Sequence, residues 1–260
     1  YGDHRDLHLS IRRQRQMCIR DSQHTPWQLM HGLLGLRQDF VVNHNGRIIN
    51  GLEWIQSGPT FKDEPPFQED QPWFQKTKHG GRAHPYLRPY LFEGHINQFA
   101  AILASCRLPL NAQFGTPVGP ITMQDLITNA QMTANEKEEV SWTLSLLSRY
   151  LPPDAKWGNA KGEGWSIERL VKVEVGKTLD GPCGGTCGLF ALAVARNEYL
   201  RSGKPLEGVW LEADQKVRRY MHTVRLQQDP NGTLSSKYFR GREYKQDFDK
   251  RLASSGALLQ

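Results

Sequence analysis

Residues that begin helices and residues that end them alternate along most of this chain, and this alternation constrains the fold more than any other feature. Side chains that cap the free N–H groups of a first helical turn recur at Thr25, Thr122, Asn135 and Ser166. Residues that stop a helix recur between and after them, at Pro109, Pro152 and Gly203. Because the apolar residues between these signals recur at helical spacing, the sequence predicts a succession of separate helices.

The predicted helices number seven or eight. They span approximately residues 25–37, 97–107, 122–133, 135–151, 166–175, 186–201, 206–227 and 246–260. The fourth of them is expected to carry Glu136, Glu138 and Glu139 in its first turn, where the helix dipole favours negative charge.

Two segments of the N-terminal part depart from this pattern. Asn45-Gly46 supplies the positive φ angles of a tight turn between Phe40–Val42 and Arg47–Ile49, which predicts a small β-hairpin. Residues 58–94 contain six prolines and several glycines, which predict a long loop that packs against the domain through its aromatic residues. We therefore expect an all-α fold of paired antiparallel helices with one small hairpin, in a single domain over residues 23–260.

The first twenty-two residues, Tyr1–Ser22, differ from the rest. They end in Met-Cys-Ile-Arg-Asp-Ser, and the whole segment resembles the translated sequencing adapters found at the ends of metagenomic genes. It lacks the apolar core of a signal peptide, although a basic arm that binds nucleic acid is the alternative. We expect residues 1–22 to be non-native and disordered. Because the last predicted helix runs into Gln260 without a cap, we also expect the domain to be a fragment truncated at both ends.

Setting residues 1–22 aside changes the charge balance of the chain. The 33 basic and 27 acidic residues become 28 and 24, so the formal net charge falls from +6 to +4. A balance this even argues against nucleic acid as a partner, and no apolar run is long enough for a membrane span. The ligand and the oligomeric state stay open, and so does the compartment, for which cell envelope and secretion both fit.

Three blocks of sequence resemble an uncharacterised bacterial family that belongs with the terpenoid-cyclase and protein-prenyltransferase α/α-toroid superfamily. These blocks are residues 92–99, 180–190 and 226–232. The resemblance covers roughly residues 25–260 and implies a partial α/α-toroid, since a complete ring needs about twelve helices. The family has histidine where Cys187 stands and an aromatic residue where Leu234 stands.

The segment Cys183-Gly-Gly-Thr-Cys187 is the sharpest candidate for chemistry. A cysteine at the start of a helix has a lowered pKa, which makes it a better nucleophile or metal ligand. Asp180, His95 and His222 complete a zinc set similar to that of protein prenyltransferases. The alternatives are a disulfide and two buried thiols that pack at a loop-to-helix junction. On balance we assign neither a metal nor a cofactor, and we favour structural packing.

A second candidate is the pair Glu93 and His95, a carboxylate and an imidazole at the start of a helix. Such a pair can act as acid and base, although His95 can equally cap the helix or bond a loop carbonyl. The catalytic candidates are therefore Cys183, Cys187, His95 and Glu93.

Several enzyme classes are excluded by their missing motifs. The chain has no Asp-rich cyclase motif, no phosphate-binding loop, no HExxH and no GxSxG. Our leading hypothesis is a non-catalytic toroid-like domain that binds a peptide, a glycan or an apolar ligand in a helix-lined concavity. The alternative is an enzyme that uses Cys183 as a nucleophile or zinc ligand together with His95 or His222.

Overall fold

A computed structural model describes residues 20–21, 23–62, 69–85, 91–179, 185–244 and 247–259. Of these described residues, 47% are helical and 15% lie in strands, which form five antiparallel two-stranded sheets. The fold is therefore mixed α/β, and the prediction of an all-α fold with one hairpin is wrong. The chain divides into two compact units, Tyr1–Met132 and Thr133–Gln260, which are described separately below.

The first unit combines helices with four small sheets. Its helices are α1 (Pro26–Leu36), α2 (Gly51–Gln56), α3 (Gln98–Ser105) and α4 (Met123–Thr133). Its strands are β1 (Val41–His44), β2 (Arg47–Asn50), β3 (Thr60–Lys62), β4 (Asp70–Pro72), β5 (Phe74–Thr77), β6 (Gly80–Ala83), β7 (Gln113–Phe114) and β8 (Ile121–Thr122). Among the described residues, each strand pairs with its neighbour in the sequence, and Asn43 of β1 also forms an isolated parallel bridge with Arg20.

The second unit is mainly helical. Its helices are α5 (Ser141–Leu147), α6 (Ile167–Gly176), α7 (Thr186–Arg201), α8 (Gly208–Gln227) and α9 (Phe248–Leu259). Its two strands, β9 (Lys156–Gly158) and β10 (Gly164–Ser166), form one hairpin.

The predicted N-terminal helix and hairpin are both confirmed. Thr25 and Gln28 form a reciprocal capping box at the start of α1, and Pro26 occupies the first turn. The β1–β2 register pairs His44 with Arg47 across a turn in which Asn45 and Gly46 both have positive φ. Of the predicted lead segment, Arg20 and Asp21 are described, and Asp21 forms an ion pair with His44.

The predicted loop over residues 58–94 is wrong in part, because it contains the hairpins β3–β4 and β5–β6. The described prolines of this segment lie at or beyond strand ends: Pro59 precedes β3, Pro72 is the last residue of β4 and Pro85 follows β6. Gly80, with φ of 121°, makes the tight turn into β6 possible.

The hairpins β7–β8 and β9–β10 were likewise not expected from the sequence. Their strands of two or three residues are too short to display an alternation of apolar and polar residues. They are held by cross-strand pairs of large side chains, Phe114 with Ile121 and Trp157 with Trp165.

The predicted helix start at Asn135 is also wrong, since α5 begins at Ser141. The Asn135 side chain accepts a hydrogen bond from the Lys137 N–H, at 3.1 Å, in a local turn that competes with a helical first turn. Residues 135–140 therefore form a loop, and this places Glu139 outside the helix.

Each unit has its own apolar core. In the first unit, rings stack or meet edge to face around Phe99, whose neighbours include Trp73, Phe74 and Phe92. In the second unit, α7 packs against both α5 and α8. An ion pair of 2.6 Å between Arg196 of α7 and buried Asp214 of α8 reinforces the second of these contacts.

Candidate functional site

Cys187 lies in the first turn of α7 and carries a half-buried thiol. Gly185, immediately before the helix, has φ of 82°, and a Cβ atom there would overlap Leu179. Only glycine fits this close approach in this backbone conformation. Gly185 has no side chain to cap the start of α7, and Cys187 is the second residue of the helix, near the positive end of the helix dipole.

A cavity of about 350 Å³ opens beside Cys187, and we call it the thiol cavity. Its lining comes from three segments of the second unit: residues 136–141, 174–179 and 185–188. The first of these segments contains the 135–140 loop. One wall of the thiol cavity is therefore a loop, at a position where the sequence predicts the first turns of a helix.

A carboxylate oxygen of Glu139 and the Sγ atom of Cys187 lie within 4.8 Å of each other. Both residues are half-buried, and both line the thiol cavity. The sequence pattern marked Glu139 only as a helix-dipole residue. Its proximity to the thiol depends on the loop, which the capping pattern did not predict.

Glu174 lines the same cavity and is 3% exposed. The Ser141 hydroxyl donates to Glu174 Oε2 at 3.1 Å, and Lys177 Nζ lies 3.6 Å from the same oxygen. A Cβ atom at Gly188 would overlap Glu174 Oε1, so the carboxylate packs directly against the first turn of α7. Its partners fix Glu174 as part of the cavity wall.

Sequence reasoning missed Glu174, although a signal was present. Ile167, Leu170 and Val171 form the buried face of α6, and position 174 continues the same face. A carboxylate at an apolar position of an amphipathic helix indicates a buried polar contact.

The thiol-site candidates Cys183 and Asp180 lie outside the described residues. His222 lies on α8 with an exposed side chain and does not line the thiol cavity.

The other predicted pair, Glu93 and His95, lies before α3 in the first unit. Glu93 is buried, and its Oε1 accepts the Phe99 N–H at 2.8 Å. Burial raises the pKa of Glu93 to about 8, while the Phe99 hydrogen bond and the charges of His95 and Arg82 act in the opposite direction. The Glu93 carboxyl group is therefore mainly protonated at neutral pH.

His95 also acts on a second imidazole, that of His31 on α1. Burial lowers the pKa of His31, the hydrogen bond from its Nδ1 to the Trp27 carbonyl acts to raise it, and the charge of His95 lowers it further. The first unit thus brings a neutral carboxyl and two half-buried imidazoles into electrostatic contact. Their use as acid and base stays a prediction.

Comparison with known proteins found no match: no family model, no curated protein and no solved structure corresponds to this chain. The resemblance to the α/α-toroid superfamily therefore stays an expectation. Within the part of the chain that the structure describes, no helix is both long and apolar enough to span a bilayer.

Proposed function

We propose that the second unit binds a zinc ion through Cys187 and Glu139, and that the ion serves an enzyme that acts on a small polar substrate in the thiol cavity. The observation that carries this proposal is the approach of a thiol and a carboxylate to within 4.8 Å at a cavity wall. Zinc bonds thiolate sulfur at about 2.3 Å and carboxylate oxygen at about 2.0–2.2 Å. A small movement of either side chain would therefore let one ion contact both.

Charge favours a cation at this position. If both groups ionise, they repel each other by at least roughly 3 kcal/mol at an effective dielectric constant of about 20. A bound cation converts that repulsion into attraction. The presence of a thiolate favours zinc over magnesium or calcium, which prefer oxygen ligands.

The open cavity favours catalysis over a purely structural role for the ion. Structural zinc sites are closed by four protein ligands, whereas catalytic sites have three and keep the fourth position for water or substrate. Cys187 and Glu139 would supply two of these three ligands. A zinc ion held here would supply a Lewis acid that lowers the pKa of a bound water towards neutral and so activates it as a nucleophile towards carbon or phosphorus. Ser141 and Lys177, which line the same cavity, could orient the polar groups of a substrate.

Binding without catalysis is the second candidate, and it keeps the leading hypothesis from the sequence. The volume of the thiol cavity, about 350 Å³, supports it, because small-ligand sites span about 300–1,000 Å³. In this case Cys187 would serve only to pack the loop against α7.

Metal analysis of the full-length chain tests the zinc proposal. After dialysis against a small excess of zinc and then against buffer, we expect about one zinc per chain by mass spectrometry. Cys187→Ala and Glu139→Gln should each retain less than a tenth of it. The matched controls Cys106→Ala and Glu138→Gln should retain it in full. Metal-free wild type, or zinc retained by Cys187→Ala, would contradict the proposal.

Thiol labelling separates a metal ligand from a nucleophile. In a Cys183→Ser background, zinc should slow alkylation of Cys187 at least tenfold, and a chelator should restore the rate. Labelling that is faster than that of a free cysteine and indifferent to zinc would instead support the nucleophile alternative. Cobalt substitution tests catalysis, since azide changes the visible spectrum of the ion only where a coordination position is open.

A further inference from the structure

A second cavity, of about 490 Å³, lies in the first unit, and we call it the aromatic cavity. Trp54, Phe61 and Trp73 contribute its rings, and Thr60, Lys62 and Asp70 contribute polar groups. Trp54 and Trp73 meet edge to face, with ring centroids 5.3 Å apart. The thiol cavity shares none of these residues, so the two sites are independent in their chemistry.

Trp73 holds the strongest indication that this cavity takes a ligand. Its side chain is 1% exposed, yet its indole Nε1 has no hydrogen-bond partner within the part of the chain that the structure describes. The indole N–H is a donor only, and buried donors in folded proteins are almost always paired. A ligand that brings an oxygen acceptor into the aromatic cavity would supply the missing partner.

The rim of the cavity adds a donor and an acceptor of opposite charge. Lys62 and Asp70 face each other in the register of the β3–β4 hairpin, and both are exposed. With Asp21, which also lines the cavity and pairs with His44, the rim has no excess of positive charge, so it does not favour an anionic ligand. Half-buried Trp54 adds an accessible aromatic surface.

We infer that the aromatic cavity binds an uncharged sugar of one or two pyranose rings. A pyranose carries apolar C–H faces that stack on aromatic rings and a rim of hydroxyl groups that both donate and accept hydrogen bonds. One hydroxyl would accept the Trp73 N–H, while others reach Asp70 and Lys62. A hydrocarbon of the same size would leave the indole unpaired, and a phosphorylated sugar would bring its charge next to Asp70.

Calorimetric titration of the full-length chain with glucose and with cellobiose tests this inference. We expect saturable binding of at least one of the two sugars, and at least tenfold weaker binding of glucose 6-phosphate and cyclohexanol. Trp73→Phe, which keeps a ring but removes the N–H, should weaken sugar binding at least tenfold. Trp54→Ala, at a less buried position, should do the same.

Trp165→Phe is the matched control, because Trp165 belongs to the second unit and lines neither cavity. It should bind sugar as the wild type does, and so should Cys187→Ala, whatever the outcome of the zinc experiment. Circular dichroism establishes that each variant is folded. The inference is overturned if neither sugar binds, if cyclohexanol binds as well as the sugars, or if folded Trp73→Phe and Trp54→Ala keep wild-type affinity.

Discussion

The buried carboxyl group of Glu93 accepts the Phe99 N–H in the first turn of α3. Asn97, which precedes this helix, provides no side-chain cap and has a left-handed backbone conformation. Glu93, four residues before Asn97, therefore caps the N-terminus of α3 in place of Asn97. Because the carboxyl is buried, it performs this role mainly in its neutral form at pH 7.

Glu93→Gln should make the stability of the protein less dependent on pH. The pKa of Glu93 is about 8 in the folded chain, against an ordinary value of 4.5. Its contribution to stability is complete below about pH 4.5 and is lost as the pH rises through about 8, by at most about 1.4 kcal/mol per pH unit. Glutamine keeps an acceptor oxygen without the charge, so the variant should avoid this loss. Urea unfolding at pH 5, 6, 7 and 8 measures the difference.

At pH 8 we therefore expect Glu93→Gln to be more stable than the wild type, and at pH 5 nearly equal to it. Exposed Glu69 offers the control, since Glu69→Gln should follow the wild-type curve. Parallel pH curves for Glu93→Gln and the wild type would show that Glu93 ionises as an ordinary carboxyl.

At the scale of elements, the contact between α6 and α7 depends on a glycine. Gly188 in the first turn of α7 leaves room for the buried carboxylate of Glu174 on α6. The same contact forms one wall of the thiol cavity. The packing of α6 against α7 and the shape of the thiol cavity therefore both require glycine at position 188.

Gly188→Ala should destabilise the protein by roughly 1–3 kcal/mol, because its Cβ atom would overlap Glu174 Oε1 and force either the helix or the carboxylate to move. Gly176→Ala at the end of α6 is the matched control, since a Cβ atom there meets nothing within 4 Å. It should be neutral or stabilise by up to about 1 kcal/mol. Urea unfolding measures the free energy of unfolding of both variants. Equal values for Gly188→Ala and Gly176→Ala would exclude the proposed steric contact.

The sequence predicted elements where a local signal decides the structure. The capping box at Thr25 and the Asn45-Gly46 turn both act within four residues, and both are found as predicted. The short hairpins depend instead on packing between distant residues, such as Gly81 against Ile121, where a Cβ atom would come within 2.6 Å. No pattern within one segment encodes such a contact.

In the candidate sites too, local patterns identify some residues, whereas others are brought together only by contacts between distant parts of the chain. Cys187 was identifiable because a cysteine beside glycines at a helix start is a local pattern. Glu139 lies in a loop where the sequence predicts a helical turn. Its proximity to the thiol could therefore not be predicted from the sequence. Trp73 is one aromatic residue among several in the sequence, and only the structure shows that it lines a cavity while its buried N–H has no partner among the described residues.

At the scale of the whole molecule, charge is distributed unevenly along the sequence. Five of the 33 basic residues are arginines within the first twenty-two positions, and Arg12, Arg13 and Arg15 stand almost together. The remaining basic residues are nearly balanced by acidic ones, as 28 against 24. Attraction to a polyanion should therefore come mainly from the N-terminal cluster rather than from residues 23–260.

This distribution predicts weak, salt-sensitive binding of duplex DNA that depends on the N-terminal arginines. Replacing Arg12, Arg13 and Arg15 together by glutamine should weaken binding in 50 mM salt at least tenfold and reduce the slope of log affinity against log salt by up to about 3. Fluorescence anisotropy with a labelled 20-base-pair duplex, a length chosen as about two helical turns, measures both quantities. The matched control replaces three exposed basic residues of the first unit, Arg47, Lys76 and Lys78, by glutamine and should leave the slope nearly unchanged. A larger effect of the control than of the arginine variant would place the anion-binding surface within residues 23–260 and contradict the expectation that these residues do not bind nucleic acid.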